Sequence, residues 1–505
     1  MARAVSPIQK ERCLINMQQL RDGDTALDLA HQPPHNSSST TFDWDGPDDP
    51  DNPRNAPFLV RISTICAITL LAFASAFGGS VISPATETLL QEYNCNYEVG
   101  ILPLAIYMLG LAFGPLVGAP LSETYGRRAV FVLTTPFFLI FMVSSGFAQS
   151  MAVLIICRFF AGVFASSNIN NASAVVLDCT SDRYRGTVLQ VYYSVPSLAA
   201  TFAPLVGSFV TRGLSWRWTL WVGAIVATTF YLPVLFTKET YKRKILHDRA
   251  KQRGSTDMLS TQSSPGKKIR YFLAVLIQRP LHMLCTEPIV LLVSLFNGFI
   301  YGLTYSFVTS IPWIFQTYYS AGPTSESLAF LGATMGTLLA NLPLFLLDRY
   351  LYQRKLVVVK YAQGDDARLP PEARLPAAML GSLLLPITLL GGGWTAEYRV
   401  HWIVPILFQG LTMMCSLLIY STASLFMLDA YGPLYGASAS GAMMFSRYGM
   451  SFVFPLFALR LFKALGVGWA STLLAGMGIL LAPTPWLFWK CGEKLRRKSR
   501  YEVCV

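Results

Sequence analysis

About twelve apolar runs of membrane-spanning length divide this 505-residue chain and restrict what it can fold into. They lie near 62–82, 98–119, 129–147, 151–174, 187–210 and 217–236, then near 286–315, 326–347, 376–392, 401–427, 434–459 and 466–489. A helix rises about 1.5 Å per residue, so about 20 apolar residues cross a hydrocarbon core of about 30 Å. In lipid every backbone polar group needs an internal partner, and a helix satisfies its own. The polar stretch 238–279 separates the two sets of six. It has a Ser/Thr/Gly-rich middle at 254–266 and reads as a linker. The predicted organisation is a disordered cytoplasmic tail (1–56), a six-helix bundle (57–237), a cytoplasmic linker (238–284), a second six-helix bundle (285–489) and a cytoplasmic tail (490–505).

Only 13% of residues are charged, against about 25% in soluble chains. The net charge of +12 is not a nucleic-acid signature, because the basic residues collect in loops and tails between apolar runs. With both termini inside, 33 of the 40 Lys/Arg fall on the inner side and five outside, while Arg158 and Arg447 fall within spans. That bias predicts cytoplasmic termini. Of the nine cysteines four fall in or beside spans, four on the predicted inner side and only Cys95 in an outer loop, so no disulfide framework is expected. His31 and His35 are separated by Pro33 and Pro34, which forbid the helix that would align them on a metal. No metal site, cofactor motif or paired catalytic cluster is visible. Gly391-Gly392-Gly393 lacks the Lys-Ser/Thr of a phosphate loop.

The turn after the second run is short and basic: Pro120-Leu121-Ser122-Glu123-Thr124-Tyr125-Gly126-Arg127-Arg128. The turn after the eighth run, Asp348-x-Tyr350-x-x-x-Arg354-Lys355, echoes it. Leu177-Asp178 ends the fourth run as Leu428-Asp429 ends the tenth. Such echoes suggest duplication of a six-helix unit. Arg158 lies well inside an apolar run, where a charge costs at least ~2.5 kcal/mol and must face protein or water. Its two readings are a group that tunes a proton site or orients substrate, and a structural bridge between bundles. Arg447 in the eleventh run poses the same choice.

These residues resemble the major facilitator superfamily, in its fungal drug:proton antiporter branch with twelve spans. The basic turn is similar to that family's loop signature. Trp44-Asp45 with Asp49-Pro50-Asp51-Asn52-Pro53, Arg158-Phe159-Phe160-Ala161-Gly162, Glu239-Thr240-Tyr241 and Pro371-Glu372-Ala373-Arg374-Leu375 also look like family motifs, in family order. The resemblance implies an all-α membrane fold of two pseudo-symmetric six-helix bundles and alternating access. It also implies export of drugs, fungicides or secondary metabolites, or of polyamines, against which the scarcity of cavity acids weighs. The chain departs from the pattern at Ala119, at Ala203-Pro204, and in the polar Ser167-Asn168-Ile169-Asn170-Asn171 of the fourth run. The last suggests a polar wall, with Asn168 and Asn171, along the substrate path.

Antiport requires a carboxylate that gains a proton on one side and releases it on the other. The first run holds no acid, which leaves Glu123, Asp178, Glu287, Asp348 and Asp429 near helix ends. The gating and coupling candidates are Glu123, Arg127, Arg128, Arg158, Asp178, Asp429 and Arg447. Asn297, Tyr301 and Tyr305 recur at four-residue spacing on one face, and so do Phe73 and Phe77. Aromatics beside amides suit a cavity for an amphipathic molecule. Pro196 and Pro204, with Gly207, mark a hinge in the fifth span. Gly110, Gly114 and Gly118 form a small-residue stripe for close helix approach. The expected partners are a small-molecule substrate, protons and the lipid bilayer, with no nucleic acid and a monomeric protein. The alternatives are an uptake symporter or facilitator and a non-transporting membrane sensor. The expected location is the cell membrane, with the vacuolar membrane as the other choice.

Overall fold

The computed structural model describes residues 44–46, 48–115, 118, 121–122, 125–181, 184–252, 278–320, 322–364, 369–497, 499 and 501. Twelve helical segments among them follow the twelve apolar runs. The first six are α1 (Phe58–Ser80), α2 (Tyr97–Phe113), α3 (Arg127–Gly146), α4 (Met151–Cys179), α5 (Arg185–Gly213) and α6 (Trp216–Val234). After the linker come α7 (Pro288–Tyr319), α8 (Glu326–Ala362), α9 (Pro376–Glu397) and α10 (Ile403–Gly432). Non-helical backbone at Gly432 and Gly466 divides Ile403–Leu481 into α10, α11 (435–465) and α12 (467–481).

Proline and side-chain caps set several starts. Pro288 and Pro376 occupy first helical positions, where the missing N–H costs nothing. Ser150 accepts from the Val153 amide at the start of α4. Inside the spans hydroxyls bond back to their own helix, as Thr134 does to Val130 and Ser424 to Tyr420, both at 2.8 Å. This removes polar cost without a partner helix. Large apolar side chains face outward, among them Leu133, Phe137 and Ile140 of α3 and Leu339 and Leu342 of α8. Exposed apolar faces of this kind suit lipid and not water.

The halves are built alike. α4 crosses α2 so closely that a Cβ on Gly110 would lie 2.3 Å from the Phe159 carbonyl oxygen. In the second half a Cβ on Gly336 of α8 would lie 1.9 Å from the Gly410 carbonyl oxygen of α10. Only glycine permits these crossings, which answer to each other when the halves are exchanged. The bundles meet along α2 against α11 and α5 against α8, again one pairing repeated by the exchange.

Three polar segments carry local structure of their own. The tail was expected to be disordered to residue 56, but residues Trp44 to Ala56 are placed, except Pro47, which lies outside the described residues. Arg249 of the linker helix Lys242–Gln252 bonds Asp49 at 2.8 Å and also Asp45 and Asp51, and Lys242 lies over the Trp44 ring. A guanidinium facing three carboxylates overcomes the entropy that composition alone assigns to a polar tail. The linker carries that helix and a second, Arg279–Thr286. The last helix runs on from Thr484 to Arg496, where Glu372 holds Arg496 through two bonds at 3.0 and 3.1 Å.

Candidate functional site

At mid-span on α11 the Arg447 guanidinium is surrounded by aromatic rings. It lies 4.5 Å from the ring centre of Tyr301 (α7), 4.8 Å from that of Tyr420 (α10) and 4.4 Å from that of Tyr448. Arg447 is 2% exposed, and its Nη2 donates to the Tyr448 hydroxyl at 2.6 Å. No acceptor lies within hydrogen-bond distance of its Nε and Nη1, the Tyr420 hydroxyl stands beside the guanidinium, and no carboxylate among the described residues pairs with it. The cluster adjoins the other half. The Tyr420 ring meets the Tyr193 ring of α5 at 5.3 Å, and the Tyr301 hydroxyl bonds Ser197 of α5 at 3.1 Å. One turn further along α7, Tyr305 accepts from Ser80 of α1 at 3.4 Å.

Arg158 on α4 is equally buried but fully engaged. Nε donates to Pro103 O at 2.9 Å, Nη1 to Gly78 O at 2.8 Å and Nη2 to Gly79 O at 2.6 Å, with the Tyr107 ring 4.4 Å away. It ties α4 to α1 and α2 inside one bundle. Arg158 therefore does not bridge the two bundles: its three bonds tie helices of one bundle together.

The charged groups at the basic end fall into two sets, one per half. The Arg127 guanidinium lies 3.5 Å from Asp178 and 4.8 Å from the centre of the Tyr241 ring, and bonds Ser122 and Asn171. Glu239 accepts from the Arg127 and Arg128 amides at 2.8 and 3.1 Å and so caps α3. Gly126, at φ +96°, makes that approach possible, because a Cβ there would lie 2.3 Å from a Glu239 carboxylate oxygen. Arg128 itself donates to Leu235 O. In the second half Arg374 bonds Asp429 and lies 4.2 Å from the Tyr352 ring centre. The predicted echo thus pairs Asp178 with Arg127 and Asp429 with Arg374. Arg354 instead lies over its neighbour Tyr350. Glu123 lies outside the described residues.

Contacts between halves occur at both ends. At the basic end Thr187 of α5 donates to Asp348 of α8 at 2.8 Å, and Gly186 faces Arg374. At the other end Ser208 of α5 meets Ser327 at 2.5 Å, Arg212 reaches Ser327 at 3.0 Å and Arg460 meets Glu98 at 2.5 Å. The tyrosine–arginine cluster lies between these latches.

The other predicted residues disperse. Asn168 bonds Ser75, Thr134 and Thr135 and sits between α1, α3 and α4, away from the contact between halves. Asn171 belongs to the Arg127 cluster, donating to the Arg127 carbonyl at 3.0 Å. Phe73 stacks on Phe77 and meets Phe230 of α6 edge-on, which is packing within the first bundle. Asn297 back-bonds to Val293, leaving its Oδ1 unpartnered. α5 runs unbroken through Pro196 and Pro204, and Gly207 lies where a Cβ would be 2.0 Å from Val81 O. Tyr420 and Tyr448 escaped the sequence reading. They share with Tyr301 the signal that could have found them, a hydroxyl at membrane depth that needs a partner.

The Major Facilitator Superfamily family model matches residues 68–455. The major facilitator superfamily multidrug transporter FLU1 of Candida albicans is 33% identical over 468 residues, covering 91% of this chain and 75% of the relative. The efflux pump radE of Floropilus chiversii is 30% identical over 466 residues, covering 91% and 86%. Among solved structures, the proton:xylose symporter XylE bound to 6-bromo-6-deoxy-D-glucose superposes with a TM-score of 0.62 at 17% identity, covering 86% of this chain and 96% of that one, a likeness of fold alone.

Proposed function

We propose a function from one premise: the chain belongs to the major facilitator superfamily and is a multi-pass membrane transporter, not an enzyme. Our reading is proton-coupled export of small amphipathic organic compounds, drugs or secondary metabolites, by alternating access. The observation that carries it is the buried aromatic and polar cluster between two similar halves, latched at both ends. Alternating access needs such a centre, with contacts at each end that break in turn. The relatives described as a multidrug transporter and an efflux pump support export.

In this reading the basic end faces the cytoplasm of the cell membrane, as the lysine and arginine bias supports, and the protein acts as a monomer. Asp178 and Asp429, each beside an arginine, are the coupling candidates. Opening of the basic end breaks the Thr187–Asp348 bond and uncovers Arg374 from Gly186, which exposes the second pair to water. A carboxylate whose surroundings alternate between arginine and water alternates in proton affinity.

Proteoliposomes with an imposed pH gradient test this, using rhodamine 6G and fluorescein as cationic and anionic amphipathic probes. Export should follow the proton gradient and need no ATP. Transport indifferent to the gradient rejects antiport and leaves a facilitator. Uptake driven in the same direction as the protons selects the symporter. Full coupling in Asp178→Asn and in Asp429→Asn spares antiport but rejects these sites.

A further inference from the structure

We propose that Arg447 with its tyrosine ring is the binding site for an anionic group on the transported molecule, a carboxylate or an acidic phenol or enol. The inference rests on the transporter reading above and names the substrate class of that same site. A guanidinium carries five N–H donors in a plane, and Arg447 places Nη2 on the Tyr448 hydroxyl, with the Tyr420 hydroxyl also beside the group. Its Nε and Nη1 are buried without partners, and no carboxylate among the described residues neutralises it. Tyr301, Tyr420 and Tyr448 lie against the guanidinium at 4.4 to 4.8 Å. Rings over the cation attract its charge, but they do not accept its in-plane N–H bonds. Those bonds call for planar oxygen pairs, which a carboxylate supplies in bidentate form.

Position strengthens the assignment. Arg447 lies 12 residues from Tyr435 at the start of α11, hence about 18 Å along the helix from the basic end. Tyr301 and Tyr420 stand at matching depth on α7 and α10, and both reach α5 of the other half through Ser197 and Tyr193. A ligand on Arg447 therefore sits at the seam that alternating access opens to either side. The same rings offer stacking faces for an aromatic body, which explains an amphipathic preference. A cationic substrate is disfavoured, because it meets an uncompensated positive charge.

A structural arginine and a binding arginine answer differently to removal, and purified full-length protein in detergent separates them. The probes are naphthaleneacetic, cinnamic and benzoic acids, each paired with its primary amide, read by the midpoint of thermal unfolding at pH 7.5. At least one acid should raise the midpoint saturably while its amide does not. In Arg447→Met that response should need on the order of 10–100-fold more acid, with Arg447→Lys between the two. Without ligand, Arg447→Met should be monodisperse and unfold at or above the wild-type midpoint, since it removes a buried unpaired charge. Any of four results overturns the inference: no acid shifts the midpoint, an amide matches its acid, the acid response survives in Arg447→Met, or unliganded Arg447→Met unfolds below wild type. Acid binding without transport in proteoliposomes would leave this site standing and reject export. Equal transport of acid and amide would do the reverse.

Discussion

Two arginines sit at membrane depth in this protein, one in each half, and they are held in opposite ways. Arg158 is 0% exposed and donates to three backbone carbonyls of α1 and α2. Arg447 is 2% exposed, donates to the Tyr448 hydroxyl, has the Tyr420 hydroxyl beside it and is covered by rings. The price of burying a charge is therefore met within the fold at Arg158 and left partly unmet at Arg447. Burial and charge alone do not separate architecture from recognition. The donor inventory does, because a fully bonded cation holds helices together while an under-bonded one waits for an acceptor.

The largest expected effect follows directly. Arg158→Met strips the donors from three buried carbonyls and should cost at least ~3 kcal/mol, so that little monodisperse protein is recovered on size-exclusion chromatography. Arg447→Met should be recovered at wild-type yield. Equal losses would erase the distinction between the two sites.

A second comparison concerns the basic end. Arg127 contacts only its own half, through Ser122, Asn171, Asp178 and Tyr241, among the contacts described. Arg374 bonds Asp429 in its half and also faces Gly186 of the other. Arg374→Ala should therefore insert normally yet lower turnover about tenfold, equivalent to about 1.4 kcal/mol between conformations. Arg127→Ala should lower turnover less and thermal stability more. A larger turnover loss for Arg127→Ala would mean that it gains a cross-half partner in another state.

The smallest effect belongs to the tail. Arg249→Ala should speed proteolysis between Trp44 and Ala56 at pH 7.5 while leaving transport unchanged. The Arg249 guanidinium holds the Asp49 carboxyl well below the usual carboxylate range. Stabilisation by this contact is present above the ordinary carboxylate pKa of about 3.9 and is lost only as pH falls through the depressed value. Protection of the wild-type tail should thus be flat from about pH 8 to pH 5. A loss of protection already at pH 6 would assign the contact to another group.

Much of the fold was legible without coordinates, because lipid imposes a strong rule: a helix must be apolar for about 20 residues and polar outside. That rule located the spans, and the Asp178 and Asp429 echo pointed to two related halves. It also flagged Arg158 and Arg447, since a charge in such a run has no neutral explanation. The glycine stripe at Gly110 announced a close crossing, and α4 makes it.

Which groups meet was not legible, because partners in a bundle come from segments far apart in the chain. Asn168 looked like part of a substrate wall, but its amide bonds Ser75, Thr134 and Thr135 within one bundle. Arg374, 55 residues before Asp429, took the place that Arg354 held in the echo. The tail looked disordered by composition until Arg249, some 200 residues away, gathered its acids. The sequence alone determined a membrane transporter fold with a buried arginine in each half. Only the tertiary structure decided that carbonyls of α1 and α2 satisfy one and that tyrosines from α7, α10 and α11 surround the other. A hydrogen bond depends on distance and direction between groups that the chain order leaves unspecified.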